Sequence, residues 1–236
     1  MALLLAALAV FVVSFLLGSI PWGVIFSKLV FKEDVRDHGS GNIGTTNMMR
    51  TYGAKAGVAV FLLDFAKGLV SGLVATAAFA LLESLGALGG AAVSLPIPDD
   101  GGFRGVLLGV SFAGCVWGHI FSPWLGFKGG KGIATAVGNL FVFFGPIPAL
   151  LEIAVFAVFV AATRYVSLGS VMSALACLAF SAYCWWGNPL AVAFAWAGAL
   201  TVVWAHRGNI QRLANGTERK IGKKKEGPAD DAGASA

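Results

Sequence analysis

Of the 236 residues, 57% are hydrophobic and only 12% are charged, and the mean hydropathy is +0.79. Soluble domains carry about 25% charged residues, so a soluble globular fold is excluded. The apolar runs are continuous rather than alternating, which excludes a closed barrel.

The net charge of +5 is placed unevenly. Seven of the seventeen Lys/Arg lie between Arg207 and Lys225, and most others lie near residues 28–55 and 128–131. Such clusters suit anionic headgroups or anionic small molecules.

In chain order the candidate spans are 2–28, 54–82, 104–121, 135–148, 149–163, 165–186 and 189–205, judged against the roughly 20 apolar residues that a crossing helix needs. The first run does not read as a signal peptide. No basic residue precedes it, and Gly18, Ser19 and Pro21 interrupt it. Gly145-Pro146-Ile147-Pro148 and Gly187-Asn188-Pro189 are turn signals that split two long apolar blocks. The expectation is an all-α integral membrane protein, a bundle of seven transmembrane helices. Five full crossings are the alternative, because the fourth and fifth spans are short. Residues 1–222 form one membrane-embedded domain. Residues 223–236, rich in Lys, Gly, Ala and Asp, read as a disordered tail.

Lys/Arg bias places the basic tail in the cytoplasm, and an odd number of crossings then places the N-terminus outside. Loops 29–53 and 122–134 join the tail on the cytoplasmic side. The loop near Glu83–Gly102 holds Glu83, Asp99 and Asp100 and falls outside. Cys115, Cys177 and Cys184 all sit in apolar segments and read as core residues.

Three polar clusters fall on the cytoplasmic face. The first is Ser40-Gly41-Asn42-Ile43-Gly44-Thr45-Thr46-Asn47, followed by Arg50. It can wrap a polar ligand with backbone and side-chain donors, or be an ordinary turn-rich loop. The second is Lys128-Gly129-Gly130-Lys131-Gly132, with Thr135 nearby. Glycine N–H groups and lysine charge suit a phosphate; a flexible connector is the plainer reading. Gly132 follows Lys131 where a Walker A loop has Ser or Thr, so an ATPase is disfavoured. The third runs from His206 and Arg207 through Asn209 to Glu218. His206 and Asn209 share a helix face, and the imidazole could bind phosphate or accept a proton. Asp64 and Lys67, three apart in the second span, are either functional or a local ion pair. Glu152 is isolated in an apolar span.

Gly18-Ser19-Ile20-Pro21, S-G-N-I-G-T-T-N, K-G-G-K-G-I-A-T and H-R-x-N-I-x-R-L-x-x-G-x-E, in this order over about residues 14–222, resemble the bacterial membrane glycerol-3-phosphate acyltransferases that use acyl phosphate, the PlsY family. Thr45, where alanine is expected, is a mild departure. The resemblance implies a multi-pass protein of the bacterial inner membrane. It implies acyl transfer from acyl phosphate to sn-glycerol 3-phosphate, giving lysophosphatidic acid and inorganic phosphate, the first step of phospholipid synthesis. It places His206, Asn209, Ser40 and Arg50 in catalysis. For substrate and phosphate binding it offers Gly41, Asn42, Gly44, Thr46, Asn47, Lys67, Lys128, Gly129, Gly130, Lys131, Gly132, Thr135, Arg207 and Glu218. It implies no cofactor and no metal, the bilayer as surroundings, no nucleic acid, and contact with the enzyme that makes acyl phosphate.

The residues agree with that chemistry. Phosphate leaves a mixed anhydride readily, so positioning and cationic stabilisation should dominate. Acyltransferases using acyl carrier protein or coenzyme A carry His-x-x-x-x-Asp. Here Ile43, Trp124 and Gln211 stand five residues after His38, His119 and His206. No Cys nucleophile or Ser-His-Asp set is evident, so direct transfer is expected. A transporter of a phosphorylated or anionic solute is the alternative, though its polar groups belong at the midplane. A metal-dependent phosphotransferase ranks last, for want of acidic ligands.

The charge bias makes a topology prediction. In a cysteine-less background, Lys223→Cys should stay unlabelled by an impermeant thiol reagent in intact cells. Prompt labelling would invert the bundle.

Overall fold

The computed structural model describes residues 1–88 and 102–222, which are helical without strands. The expected disordered tail 223–236, and Asp99 and Asp100 of the acidic loop, lie outside the described residues.

Helix α1 (Ala2–Ser19) ends where Pro21 interrupts the chain, and α2 (Trp22–Phe26) continues it through a wide turn at Ser27–Phe31. Together Ala2–Phe31 make one apolar span. The break has a consequence. The Ile20 carbonyl receives no i+4 amide, since the Val24 amide turns to Pro21 at 3.0 Å. The carbonyls of Ser19 and Ile20 are thus available to other helices.

Helix α3 (Thr45–Tyr52) opens inside the first polar cluster and α4 (Ala54–Ser84) follows after Gly53. Gly53 sits at φ 89°, a conformation that favours glycine. Residues 29–53 are thus partly helical rather than a plain loop. The next elements are α5 (Gly102–Ile120), α6 (Ile133–Phe143), α7 (Pro146–Thr163), α8 (Val166–Cys184), α9 (Pro189–Ala205) and α10 (Arg207–Ala214). Pro146 sits in the first turn of α7, where its missing N–H costs nothing, so this helix starts before the expected 149.

Among the described residues five helical spans are long and apolar enough to cross a bilayer, and a sixth arises if α9 and α10, bent by 52°, are taken together. The remaining expected span, 135–148, is α6. Its eleven residues rise only about 16 Å at ~1.5 Å each, half of a ~30 Å hydrocarbon core. A seven-helix count therefore includes one half-depth helix.

Helix α5 is the hub, buried along nearly its whole length and packed against α1, α4, α6 and α9. Lipid tails are as apolar as leucine, so close backbone approach must hold the helices together. Small residues supply it. A Cβ on Gly118 would overlap the Phe15 carbonyl of α1, and one on Gly138 would overlap the Phe65 carbonyl of α4. Leu4, Leu5, Leu8, Leu150, Leu151 and Val158 stay exposed, on helices α1 and α7; these are lipid-facing surfaces.

Gly118→Ala should push α1 from α5 and cost about 1–3 kcal/mol, as overpacking does. The check is the melting temperature of purified protein in detergent, which should fall by several degrees.

Candidate active site

The three polar clusters meet around one open cavity of about 2270 Å³. Its wall includes Ser40, Asn42, Gly44, Thr46, Asn47, Arg50, Lys131, Gly132, His206, Arg207, Asn209 and Glu218 from the expected set. Gly41, Lys67, Lys128, Gly129, Gly130 and Thr135 are not on it.

The first cluster is organised by Asn47, which is buried. Its Oδ1 accepts from the Ser40 amide at 2.8 Å. Its Nδ2 donates to the carbonyls of Val35, His38 and Asn42, at 3.2, 3.1 and 2.8 Å. The amide is fully spent on folding the loop, so Asn47 shapes the wall. Asn42 Oδ1 accepts from the Gly44 amide at 2.9 Å, a local turn. Gly41, at φ 68°, serves a turn whose amide donates to the His38 carbonyl. Ser40 and Arg50 remain exposed to the cavity. Partial burial, with repulsion from Arg219 and Arg212, lowers the Arg50 pKa.

The glycine-rich loop works differently from the expected phosphate cradle. The Gly129 amide donates to the Ile120 carbonyl at 2.9 Å, and that of Gly130 to the His119 carbonyl at 3.1 Å. These donors satisfy the last carbonyls of α5 and are closed to a ligand. Lys128 is exposed away from the cavity. The anion-seeking amides lie further on, at the start of α6. Gly132 stands there at φ 84° and no side chain caps the helix. The first amide to find its helical carbonyl is Ala136, which donates to Gly132. Lys131, Gly132, Ile133 and Ala134 all face the cavity. Uncapped N–H groups beside a lysine make an anion site.

Lys131 is positioned by a relay. Its Nζ donates to Asn209 Oδ1. Asn209 Nδ2 donates to Glu218 Oε1 at 2.7 Å. Glu218 Oε1 also accepts from Ser167 Oγ at 2.9 Å, and Oε2 accepts from Arg212 Nε at 2.7 Å. An ammonium only donates and a carboxylate only accepts, so the orientation of the Asn209 amide is forced. Burial lowers Lys131 to about 8, chiefly by desolvation and partly through Arg212 and Arg50. Burial would raise Glu218, but bonds from Asn209, Arg212 and Ser167 outweigh it and hold the carboxyl below its ordinary value.

His206 lies at the bend between α9 and α10, and is buried against the cavity. Its Nδ1 lies 2.8 Å from the Val202 carbonyl oxygen. A carbonyl can only accept, so Nδ1 carries the hydrogen and Nε2 keeps its lone pair. Arg207 stacks on Trp204, 3.9 Å above the ring.

Lys67 is enclosed rather than presented. Its Nζ forms an ion pair with Asp64 Oδ1 at 2.8 Å and donates to the Ile20 carbonyl at 2.8 Å and to His119 Nδ1 at 2.9 Å. Thr135 Oγ1 stands 3.3 Å from the same nitrogen. These three partners surround the ammonium, and Lys67 is not on the cavity wall.

The sequence placed Arg212 in the third polar cluster but marked Arg219 and Lys220 only as basic residues of the tail; all three line the cavity. Residues 215–222 fold back across it. The Ile221 amide donates to the Arg164 carbonyl at 2.9 Å, and Lys220 stands 5.2 Å above the Tyr165 ring. The signal available was density alone, since lysines and arginines so close to an apolar helix end also orient a bundle. The cavity also has an apolar arm, formed by Ile133 and Val137 of α6 and Ile153, Phe156 and Val160 of α7.

The family profile described as glycerol-3-phosphate acyltransferase matches residues 8–216. A glycerol-3-phosphate acyltransferase of Syntrophotalea carbinolica is 39% identical over 88% of this chain and 94% of its own. One of Thermosynechococcus vestitus is 39% identical over 94% of this chain and 97% of its own. The crystal structure of PlsY, an integral membrane glycerol 3-phosphate acyltransferase, in its glycerol 3-phosphate form is 33% identical, with a TM-score of 0.74 over 92% of this chain and 96% of that one. Its lysophosphatidic acid form aligns with a TM-score of 0.72 over 92% and 95% of the two chains.

Glu218→Gln places an amide N–H₂ against donors and leaves Arg212 uncompensated. It should cost about 1–3 kcal/mol, read as a lower melting temperature in detergent. Arg164, outside the relay, supplies the control through Arg164→Gln.

Proposed function

The chain belongs to the glycerol-3-phosphate acyltransferase family, and from that premise we propose that it transfers a fatty acyl group from acyl phosphate to sn-glycerol 3-phosphate. The products are lysophosphatidic acid and inorganic phosphate. The observation that carries this reading is the joining of two environments in one cavity. Lys131, Arg50, Arg212, Arg219 and the open amides of α6 bring positive charge to its wall, and Ile133, Val137, Ile153, Phe156 and Val160 bring hydrocarbon. A substrate with a phosphate head and an acyl tail suits that pair.

The chemistry needs little more. The glycerol hydroxyl attacks the acyl carbonyl carbon, and the bond from that carbon to the phosphate oxygen breaks. Lys131 and the α6 amides neutralise a phosphate, held in place through Asn209 and Glu218. His206 Nε2 has the free lone pair to take the hydroxyl proton, because Val202 holds the other nitrogen as N–H. Ser40 and Arg50 line the same cavity and orient the acceptor. Lys67 serves the frame.

We place the active face in the cytoplasm of a bacterial inner membrane and the N-terminus outside, with α6 as a half-depth helix among seven. The Lys/Arg bias supports this orientation. So does the meeting of residues 38–50, 119–132, 164–167 and 206–222 on one side. The enzyme that makes acyl phosphate would deliver its product to that face.

Purified protein with glycerol 3-phosphate should form lysophosphatidate from acyl phosphate. Formation only from acyl coenzyme A or acyl carrier protein would sink the donor assignment. Two variants test the roles. His206→Gln should lower kcat by roughly 10²–10⁴ while glycerol 3-phosphate still binds; weakened binding with preserved turnover would make the imidazole a phosphate ligand.

Lys131 sets an alkaline limit. Its free-enzyme pKa, lowered to about 8, means that charge is present below that pH and lost above it. Accordingly kcat/KM for glycerol 3-phosphate should fall as pH rises through about 8. Lys131→Arg keeps its charge throughout, so the limb should vanish in that variant even if activity drops.

A further inference from the structure

Behind the glycine-rich loop stands a second histidine that the reaction scheme above does not use. His119 is 4% exposed, yet it contributes to the cavity wall together with Asp64. Its two ring nitrogens have unlike surroundings. Nδ1 faces the Lys67 ammonium at 2.9 Å and Thr135 Oγ1 at 3.3 Å. Lys67 is itself paired with Asp64 at 2.8 Å. An ammonium cannot accept a hydrogen bond, so Nδ1 must hold a lone pair and the ring is neutral with its hydrogen on Nε2.

Among the described residues Nε2 has no hydrogen-bond partner. What stands against it is Gly130, on which a Cβ would collide with Nε2 itself. Glycine is what lets the loop pass this close to the ring. Gly130 is therefore not needed for its own amide, which is spent on the His119 carbonyl. It is needed for its missing side chain. One residue further on are Lys131 and the uncapped start of α6, the anion site described above. His119 lines the cavity, and its N–H is available there to an acceptor. An anionic oxygen bound at Lys131 has the right chemistry, and both residues line the same cavity.

We propose that His119 is a ligand of the bound phosphate group, donating Nε2–H to a phosphate oxygen in the cavity that it lines, with Lys67 and Asp64 holding its tautomer. This deepens the acyltransferase reading and rests on it for the identity of the substrates. The phosphate could belong to glycerol 3-phosphate or to the acyl donor.

The test is binding of inorganic phosphate to purified protein in detergent, followed by thermal shift. His119→Asn separates frame from ligand. The Asn oxygen stands near the place of Nδ1 and keeps an acceptor for Lys67, while the distal N–H is lost. Its melting temperature without phosphate should stay near that of wild type, and its phosphate affinity should fall roughly 10- to 100-fold, the range for a hydrogen bond to a charged group. Gly130→Ala should weaken phosphate similarly, because it covers the same N–H. The double variant should bind no more weakly than the weaker single one, since both changes act on one bond. In steady-state kinetics of His119→Asn, a higher KM for glycerol 3-phosphate would assign the phosphate to the acceptor. A higher KM for acyl phosphate would assign it to the donor. Wild-type phosphate affinity in His119→Asn would overturn the proposal. If that variant fails to fold, unchanged affinity in Gly130→Ala overturns it equally. Wild-type protein that binds phosphate through His119 but transfers no acyl group would instead defeat the acyltransferase reading and leave this site standing.

Discussion

A lysine ammonium enclosed between helices is the constraint on which the active face depends. Lys67 sits on α4 and reaches the broken end of α1 through the Ile20 carbonyl, α5 through His119, and its own helix through Asp64. A buried charge stripped of one partner costs several kcal/mol, by the general behaviour of buried ion pairs. These contacts therefore act together, pinning three helices at one depth. Ser122 Oγ adds to the same join, donating to the Ser19 carbonyl at 2.7 Å. The break at Pro21 is what releases both carbonyls. A helix-breaking residue in an apolar span thus becomes an anchor for its neighbours.

From that anchor the glycine-rich loop takes its path. The carbonyls of His119 and Ile120 end α5 without helical partners, and the amides of Gly129 and Gly130 satisfy them. The loop is therefore a helix cap as well as a wall of the cavity. Its turn delivers Lys131 and the first amides of α6 to the cavity. On the far side the Asn209–Glu218 relay meets Lys131 from α10. Two rigid systems, one within the membrane bundle and one at its edge, hold one lysine between them. Such preorganisation suits a reaction whose leaving group departs readily and whose barrier lies mainly in bringing an oily donor and a water-soluble acceptor together.

The half-depth of α6 has a role in this arrangement. A full crossing would begin near the bilayer surface. The eleven residues of α6 instead begin at the cavity wall, where Lys131, Gly132, Ile133 and Ala134 set the helix N-terminus beside apolar side chains of α6 and α7. Polar backbone at membrane depth is tolerated where it lines a cavity. The arrangement sets charge and hydrocarbon side by side in one site.

Hydropathy and charge bias were legible in the residues alone. They marked membrane helices near their observed limits, with α9 matching residues 189–205, because transfer of apolar side chains from water depends on composition more than on neighbours. The polar motifs were legible too, since Gly, Lys, Asn and His in apolar surroundings have few other reasons to be there. What composition could not reveal was which donors are free. Lys67 and Lys131 look alike as lysines near small residues, yet one is surrounded by three partners and the other lines the cavity. The amides of Gly129 and Gly130 look as available as those of Gly132 and Ile133. Hydrogen-bond capacity is finite and is allocated by contacts between residues far apart in the chain, such as Lys131 with Asn209 or Lys67 with Ile20. The sequence by itself determined a polytopic helical bundle with its chemistry gathered on one face. Only the tertiary structure decided which groups build that face and which remain open to a substrate, because each donor bonds whatever partner the packed helices bring within about 3 Å of it.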